Sequence, residues 1–242
     1  MMAGSTARAL RAGVIAAGRG DRLRAGTPAL KPLVEVGGRA LIDRVLTSIA
    51  ETGARDVVVI VNEDSLAVRD HVDARTWPFT VRWIVETTPS SMHSFLRVVE
   101  TLAASGGEGP FLVSTVDTVA PPGAFARFAE DAGGSGADVT LALTGPGDDE
   151  KPLLVSLDGS RVTAIGGEDG PYATAGYYFV RASILREADE ARAAGVGALR
   201  VFLGRLLARG YRLDGLPAPE SVDVDRPGDV AAAEHFLRRV GS

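Results

Sequence analysis

The sequence predicts an α/β fold, a largely parallel sheet covered by helices on both faces, and three observations carry that prediction. Short apolar runs alternate with stretches of helical periodicity. The runs are apolar at successive positions, as in strands buried on both sides. Glycine-rich breaks such as "ASGGEG" and "GGSGAD" lie between adjacent elements, so they read as surface loops within one domain spanning 1–242.

The elements come in a regular order. "AGVIAAG" reads as a buried strand, and "ALIDRVLTSIAETG" has helical spacing that stops at Gly53. "DVVVIVN" (56–62) is a second strand and "EDSLAVRDHVDA" a short helix. "TVRWIVE" (80–86), the helix "MHSFLRVVETLAAS" and "PFLVSTV" (110–116) complete the first half as βαβ units. The second half is more mixed. "ADVTLALTG" (137–145), "PLLVSLDGSRVTAI" (152–165, turning at Asp158-Gly159) and "YATAGYYFV" (172–180) are strand-like. Helices are expected at 182–194 and 198–209, then a strand near 211–216. A last helix is expected at 227–240, with Pro227 in its first turn.

Composition removes several functions. A net charge of −5 gives no electrostatic reason to expect nucleic acid as a partner. The absence of cysteine excludes disulfide and thiolate chemistry. No apolar stretch is long enough for a signal peptide or a membrane span, so the reading is cytoplasmic, with no membrane partner. Residues 1–8 read as a disordered lead-in, and a homodimer is left open. Lys31 and Lys151 are the only lysines in a chain otherwise basic through arginine, which draws attention to where Lys31 falls.

The first strand empties into Gly18-Arg19-Gly20-Asp21-Arg22. A dinucleotide fingerprint would need a third glycine where Leu23 stands. A P-loop would need lysine and a hydroxyl after Gly26, which is succeeded by Thr27 and Pro28. A plain strand-to-loop turn is the remaining structural reading.

Joined to the residues downstream of the loop, "AAGRGDRL…KPLVEVGGRALIDRVL" resembles the signature of nucleotidyltransferases with a GT-A-like fold. These include sugar-1-phosphate nucleotidyltransferases, phosphocholine-type cytidylyltransferases and molybdenum-cofactor guanylyltransferases. Gly18, Gly20, Arg22, Lys31 and Pro32 fall on the pattern. The resemblance implies a three-layer α/β/α domain with a mostly parallel mixed sheet. It also implies transfer of a nucleotidyl group from a nucleoside triphosphate to a small phosphorylated acceptor, with pyrophosphate leaving. Backbone at Ala17, Gly18 and Gly20 would hold the nucleotide, since small residues let amides approach phosphate oxygens. Arg22 and Lys31 would neutralise the β- and γ-phosphates.

Such a transfer brings anions together and calls for a divalent cation, Mg²⁺, held by carboxylates. Asp117, just past the fourth strand, and Asp225 in "SVDVDRPGDVAAAEHFL" resemble the family's metal ligands, with Asp223 second to Asp225 and Asp229 read as a helix first-turn residue. In "ETTPSSMHSFL", Ser91 and His93 are candidates for contact with the nucleotide. Glu168 and Gly176 match the family's acceptor-binding positions, but Asp169 stands where sugar-phosphate enzymes carry lysine. That substitution leaves choline-, polyol- or cofactor-type phosphates open beside sugar 1-phosphates. A glycosyltransferase of the same broad fold would show Asp-x-Asp after the fourth strand, where "TVDTVA" has one Asp. A catalytically silent nucleotide-binding module is the alternative from another class.

Overall fold

The computed structural model describes residues 10–24, 29–106, 109–145, 152–167 and 169–241. The lead-in expected at 1–8 and the acceptor candidate Glu168 lie outside the described residues.

In the first half, β1 (Arg11–Ile15), β4 (Asp56–Val61), β5 (Thr80–Val85) and β6 (Phe111–Thr115) are the four expected strands. They pair in parallel in the order β5-β4-β1-β6. Between them run α1 (Asp21–Arg24), a two-residue ribbon β2 (Glu35–Val36) with β3 (Arg39–Ala40), α2 (Leu41–Glu51), α3 (Leu66–Asp73) and α4 (Ser91–Ala104). The second half holds β7 (Thr118–Val119), α5 (Ala124–Gly133), β8 (Val139–Thr144), β9 (Leu154–Asp158), β10 (Arg161–Ile165) and β11 (Tyr172–Val180). After them come α6 (Ala188–Ala193), α7 (Leu199–Ala208), β12 (Leu213–Pro217), β13 (Val222–Asp223) and α8 (Pro227–Val240).

Among the described residues the sheet has nine strands in the order β5-β4-β1-β6-β11-β8-β12-β10-β9. The pairings reverse only β11 and β10 relative to the other strands, which makes this the mostly parallel mixed sheet expected from the sequence. β4 shows why successive apolar residues are needed. Val57, Val59 and Val61 point into a cluster with Ile42, Val45 and Ile49 of α2 and Phe125 and Phe128 of α5. Val58 and Ile60 point the other way, to Met92, Phe95 and Val99 of α4 and Phe202 and Leu206 of α7. Period-two side-chain geometry thus builds two helical layers around the sheet. Each fully buried Leu, Ile or Phe contributes about 1.5–3 kcal/mol of transfer free energy.

There are two local differences from expectation. Residues Ala182–Glu187 form a 3-10 turn ahead of the short α6, rather than one continuous helix over 182–194. Helix α5 is not among the expected helices, although Pro121-Pro122 ahead of it and Gly133-Gly134 at its end are ordinary helix-flanking residues. Its burial stripe Phe125, Phe128, Ala132 is helical. Among the described residues, no helix is long and apolar enough to cross a membrane.

A third cluster positions the site. Leu41 of α2, Val36, Val119, Val224, Phe236 and Leu237 pack α8 over the β2–β3 ribbon and over β7–β13. This draws the end of the chain onto the edge of the sheet where the parallel strands finish, which is where open α/β sheets bind ligands.

Candidate active site

At that edge, Ala16 to Gly20 leave β1 as irregular chain. Asn62, at the end of β4, is buried and donates from Nδ2 to the Ala17 carbonyl at 3.2 Å, tying the loop to the neighbouring strand. Among the described residues, its buried Oδ1 has no hydrogen-bond partner. It is the chain's only asparagine and belongs to no motif, so nothing in the sequence singles it out.

The two loop glycines serve different ends. Gly20 has φ +64°, and a Cβ there would stand 2.7 Å from the Cβ of Lys31. Glycine at this position lets the lysine stem cross beneath the loop. Among the described residues other than its chain neighbours, no atom lies within 4 Å of a Cβ placed at Gly18.

Lys31 lies in a 3-10 turn, Lys31–Leu33, with Pro32 inside it, and is buried. Its Nζ donates to Asp117 Oδ2 at 2.6 Å and to Asp225 Oδ1 at 2.5 Å. The two carboxylates therefore converge on one point. The β7–β13 ribbon sets their register: Asp223 pairs with Thr118, and the Val224 amide donates to the Asp117 carbonyl at 3.0 Å. Arg22 extends from α1 into solvent and touches Asp225 Oδ2 only at 3.4 Å.

The charges are mutually adjusted. Burial disfavours the Lys31 ammonium, yet the two facing carboxylates outweigh it and raise the Lys31 pKa. Burial likewise opposes ionisation of Asp117, but the Lys31 charge and hydrogen bonds from Lys31 and Thr115 hold its carboxyl below the ordinary range. Asp223 is exposed, and the charges of Asp117 and Asp225 act on its carboxyl. Desolvation and then the Asp117 charge push it up to about 7, against a hydrogen bond from Thr118 at 3.0 Å.

Asp229 is more than a first-turn acid. Its Oδ2 accepts the amides of Asp225 at 2.9 Å and Arg226 at 2.8 Å, joining the start of α8 to the residue that faces Lys31. Asp229→Ala is expected to lower the thermal midpoint, with a cost of about 0.5–2 kcal/mol typical of lost capping. It should also reduce turnover roughly tenfold through misplacement of Asp225. Asp229→Asn keeps an acceptor oxygen and is expected to recover most of both. Paired melting curves and rate measurements on the two variants check this.

The remaining expected residues sit apart from this triad or support it indirectly. Ser91 Oγ accepts the Leu199 amide at the start of α7 at 3.0 Å, and His93 Nδ1 pairs with Ser90 Oγ at 2.8 Å. Among the described residues, neither makes a bond to Lys31, Asp117 or Asp225. Gly176 in β11 has φ +80°, and a Cβ there would fall 2.0 Å from Thr118 Oγ1 and 3.0 Å from Thr115 Oγ1. Its glycine thus admits the two threonines that flank Asp117, where the sequence suggests an approach to the acceptor. Gly176→Ala is expected to destabilise the fold by about 2–4 kcal/mol, from left-handed strain and overpacking together. Chemical denaturation of the variant measures it.

Among the described residues, no group of three or more His, Cys, Asp or Glu has metal-holding geometry. The donor set still suits a hard cation. Mg²⁺ uses one or two carboxylates with phosphate and water oxygens, and Asp117 and Asp225 already aim one oxygen each at a point now taken by an ammonium.

Comparison with known proteins bears on the chemistry. The CMP-5'-(3-aminopropyl)phosphonate synthase of Streptomyces rubellomurinus (strain ATCC 31215) is 28% identical over 244 aligned positions, covering 93% of this chain. The chain spans only 38% of that relative's length. The inositol-1-phosphate CTP transferase from T. maritima superposes with a TM-score of 0.79 at 19% identity, covering 96% of each chain. A UTP-bound UGPase from Acinetobacter baumannii gives 0.75 at 16% identity, covering 95% of this chain and 94% of its own. At such identities the solved structures establish the fold alone, the GT-A-like arrangement expected from the glycine loop. A profile of the MobA-like NTP transferase domain matches residues 12–204, taking in the glycine loop, Lys31 and Asp117. With that match, the chain belongs to the MobA-like NTP transferase domain family and so to the nucleotidyltransferases.

Proposed function

We propose that the protein transfers a cytidylyl group from CTP to a small phosphate or phosphonate acceptor, with Mg²⁺ held by Asp117 and Asp225 and with pyrophosphate released. The observation that carries this reading is the convergence of Lys31, Asp117 and Asp225 on one point at the finishing edge of the parallel strands, beside the glycine loop. Cytidine is favoured by the 28%-identical relative, a CMP-phosphonate synthase.

The face of Gly18, clear among the described residues, leaves room for the triphosphate against backbone amides. An acceptor oxygen attacks the α-phosphorus, and the bond to the bridging oxygen of the β-phosphate breaks in line with it. The departing pyrophosphate carries away the electron pair. Lys31 and Arg22 are the cations within reach of that developing charge. A divalent cation, when bound, adds neutralisation of the triphosphate and orientation of its α-phosphate. No side-chain nucleophile is required, because positioning and charge account for this chemistry.

Thermal shift with each of the four common nucleoside triphosphates, with and without Mg²⁺, tests the reading, together with pyrophosphate release on a panel of phosphate and phosphonate acceptors. A metal-dependent shift largest for CTP, then acceptor-dependent pyrophosphate, is the expected result. Stabilisation by sugar nucleotides alone, without pyrophosphate release, would replace it with glycosyl transfer.

A further inference from the structure

Among the described residues, the two ends of the nine-stranded sheet differ. At the β9 end, Val155 pairs with Ile165 of β10 and also with Tyr172 of β11, so that margin is closed. β5 forms the other end and has a strand on one side only. Helices α3 and α4 pack over β4 and β1, which leaves the outer side of β5 open. The ladder fixes where its backbone groups point. The amides of Thr80 and Glu86 donate to the carbonyls of Arg55 at 3.1 Å and Val61 at 2.9 Å. In a parallel pair every second residue faces the neighbour, so Arg82 and Ile84 also turn to β4. Val81, Trp83 and Val85 therefore direct both N–H and C=O outward. Exposed edges are commonly blocked by a lysine, a proline or a bulge. β5 has none of these, and its register with β4 is unbroken from Thr80 to Val85. Its one charge is turned inward: Arg82 binds Asp56 of β4 through Nε at 2.8 Å and Nη2 at 2.7 Å.

We infer that this edge is taken by a second copy of the chain, whose β5 pairs antiparallel with the first across a two-fold axis at Trp83. The strand complements itself in that register. Each Trp83 exchanges both N–H···O bonds with its mate, and Val81 does the same with Val85 on either side, about six bonds in all. Arg82 then stands opposite Ile84, so no like charges meet. The two Trp83 side chains lie beside each other on one face, an aromatic pair of the kind that stabilises antiparallel strands. Val85, 38% exposed in the single chain, gains Val81 as its cross-strand neighbour. Other registers are poorer. An axis at Arg82 sets two guanidiniums against each other, and an axis at Ile84 gives up two of the bonds. A strand from elsewhere would need this same spacing of donors, acceptors and apolar side chains, whereas a second copy supplies it by symmetry. The pairing is independent of the nucleotidyl-transfer reading.

Size-exclusion chromatography with light scattering, over a range of loading concentrations, tests the pairing. The wild type is expected to run at twice the mass of one chain and to dissociate on dilution. Val85→Pro removes an N–H that β4 does not use, so the single chain keeps its ladder while the dimer loses two bonds. Its dimerisation should weaken about tenfold or more, with the melting curve of the dilute protein little changed. Cross-linking reads the register, because the chain has no cysteine of its own. Val81→Cys mixed with Val85→Cys should give a disulfide-linked dimer on oxidation. Neither variant should do so alone, since like positions lie about 13 Å apart along the paired strands. A wild type that stays monomeric at every concentration overturns the inference and returns the edge to a strand of some other protein. A dimer that Val85→Pro does not weaken lies on another surface and overturns it too. So does a mixture that fails to cross-link, or one variant that cross-links alone as readily as the mixture.

Discussion

Asp225→Ala is expected to lower turnover by about a thousandfold, roughly 4 kcal/mol of transition-state stabilisation. It should also raise the Mg²⁺ concentration required for half-maximal rate. The carboxylate pairs with Lys31 at 2.5 Å, and the Asp225 amide donates to Asp229 Oδ2, which fixes the backbone that carries it. Asp223 provides the control. It sits two residues earlier, hydrogen-bonded to Thr118 rather than to Lys31, and the Asp117 and Asp225 charges disfavour its ionised form. Asp223→Asn is therefore expected to change turnover less than tenfold and to leave the Mg²⁺ requirement where it was. Steady-state rates titrated with Mg²⁺ separate the two. Should Asp223→Asn be the crippled variant and Asp225→Ala the active one, the assignment of carboxylates is reversed.

The contrast depends on geometry that the sequence discloses only in part. Strands were legible because burial on both faces requires successive apolar residues, as at Val57 to Val61. The loop was legible because Gly18, Gly20, Arg22, Lys31 and Pro32 form a local pattern. The ribbons β2–β3 and β7–β13 were not, since two-residue strands have no periodicity and exist through partners elsewhere in the chain. The ion triad was hidden for the same reason: Lys31 lies 86 positions from Asp117 and 194 from Asp225. Spacing marked each aspartate as a candidate without showing that one ammonium holds both. At Ser91, the first residue of α4, residue type does not disclose that the hydroxyl oxygen accepts the first amide of α7. It is silent at Asn62, whose position becomes meaningful only when β4 lies against β1.

Lys31→Ala is expected to separate stability from catalysis. Without metal, the substitution leaves two carboxylates facing each other with no cation between them. The cost should be about 3 kcal/mol, at the low end for a broken buried pair, because Asp225 is 37% exposed. The shifts set the pH dependence. The Asp117 carboxyl is depressed in the folded protein, so its pairing stabilises the wild type above the unfolded carboxylate pKa and is lost as pH falls through the folded value. Lys31 is raised, so its share is fully present below the unfolded lysine pKa and is lost as pH rises through the folded one. Between those limits the wild type holds its full advantage over the variant, and the two melting curves should approach each other toward acid. Mg²⁺ should narrow the gap at neutral pH, since a cation can then occupy the point vacated by the ammonium, and the metal alone should stabilise Lys31→Ala more than the wild type. Turnover should remain down by about a hundred- to a thousandfold even with saturating Mg²⁺, because the cation restores the carboxylates but not the positive charge beside the departing pyrophosphate. Melting curves from pH 3 to 8 with and without Mg²⁺, set beside rates on the same samples, give both readings. Recovery of activity in step with stability would show that Lys31 only holds the aspartates together.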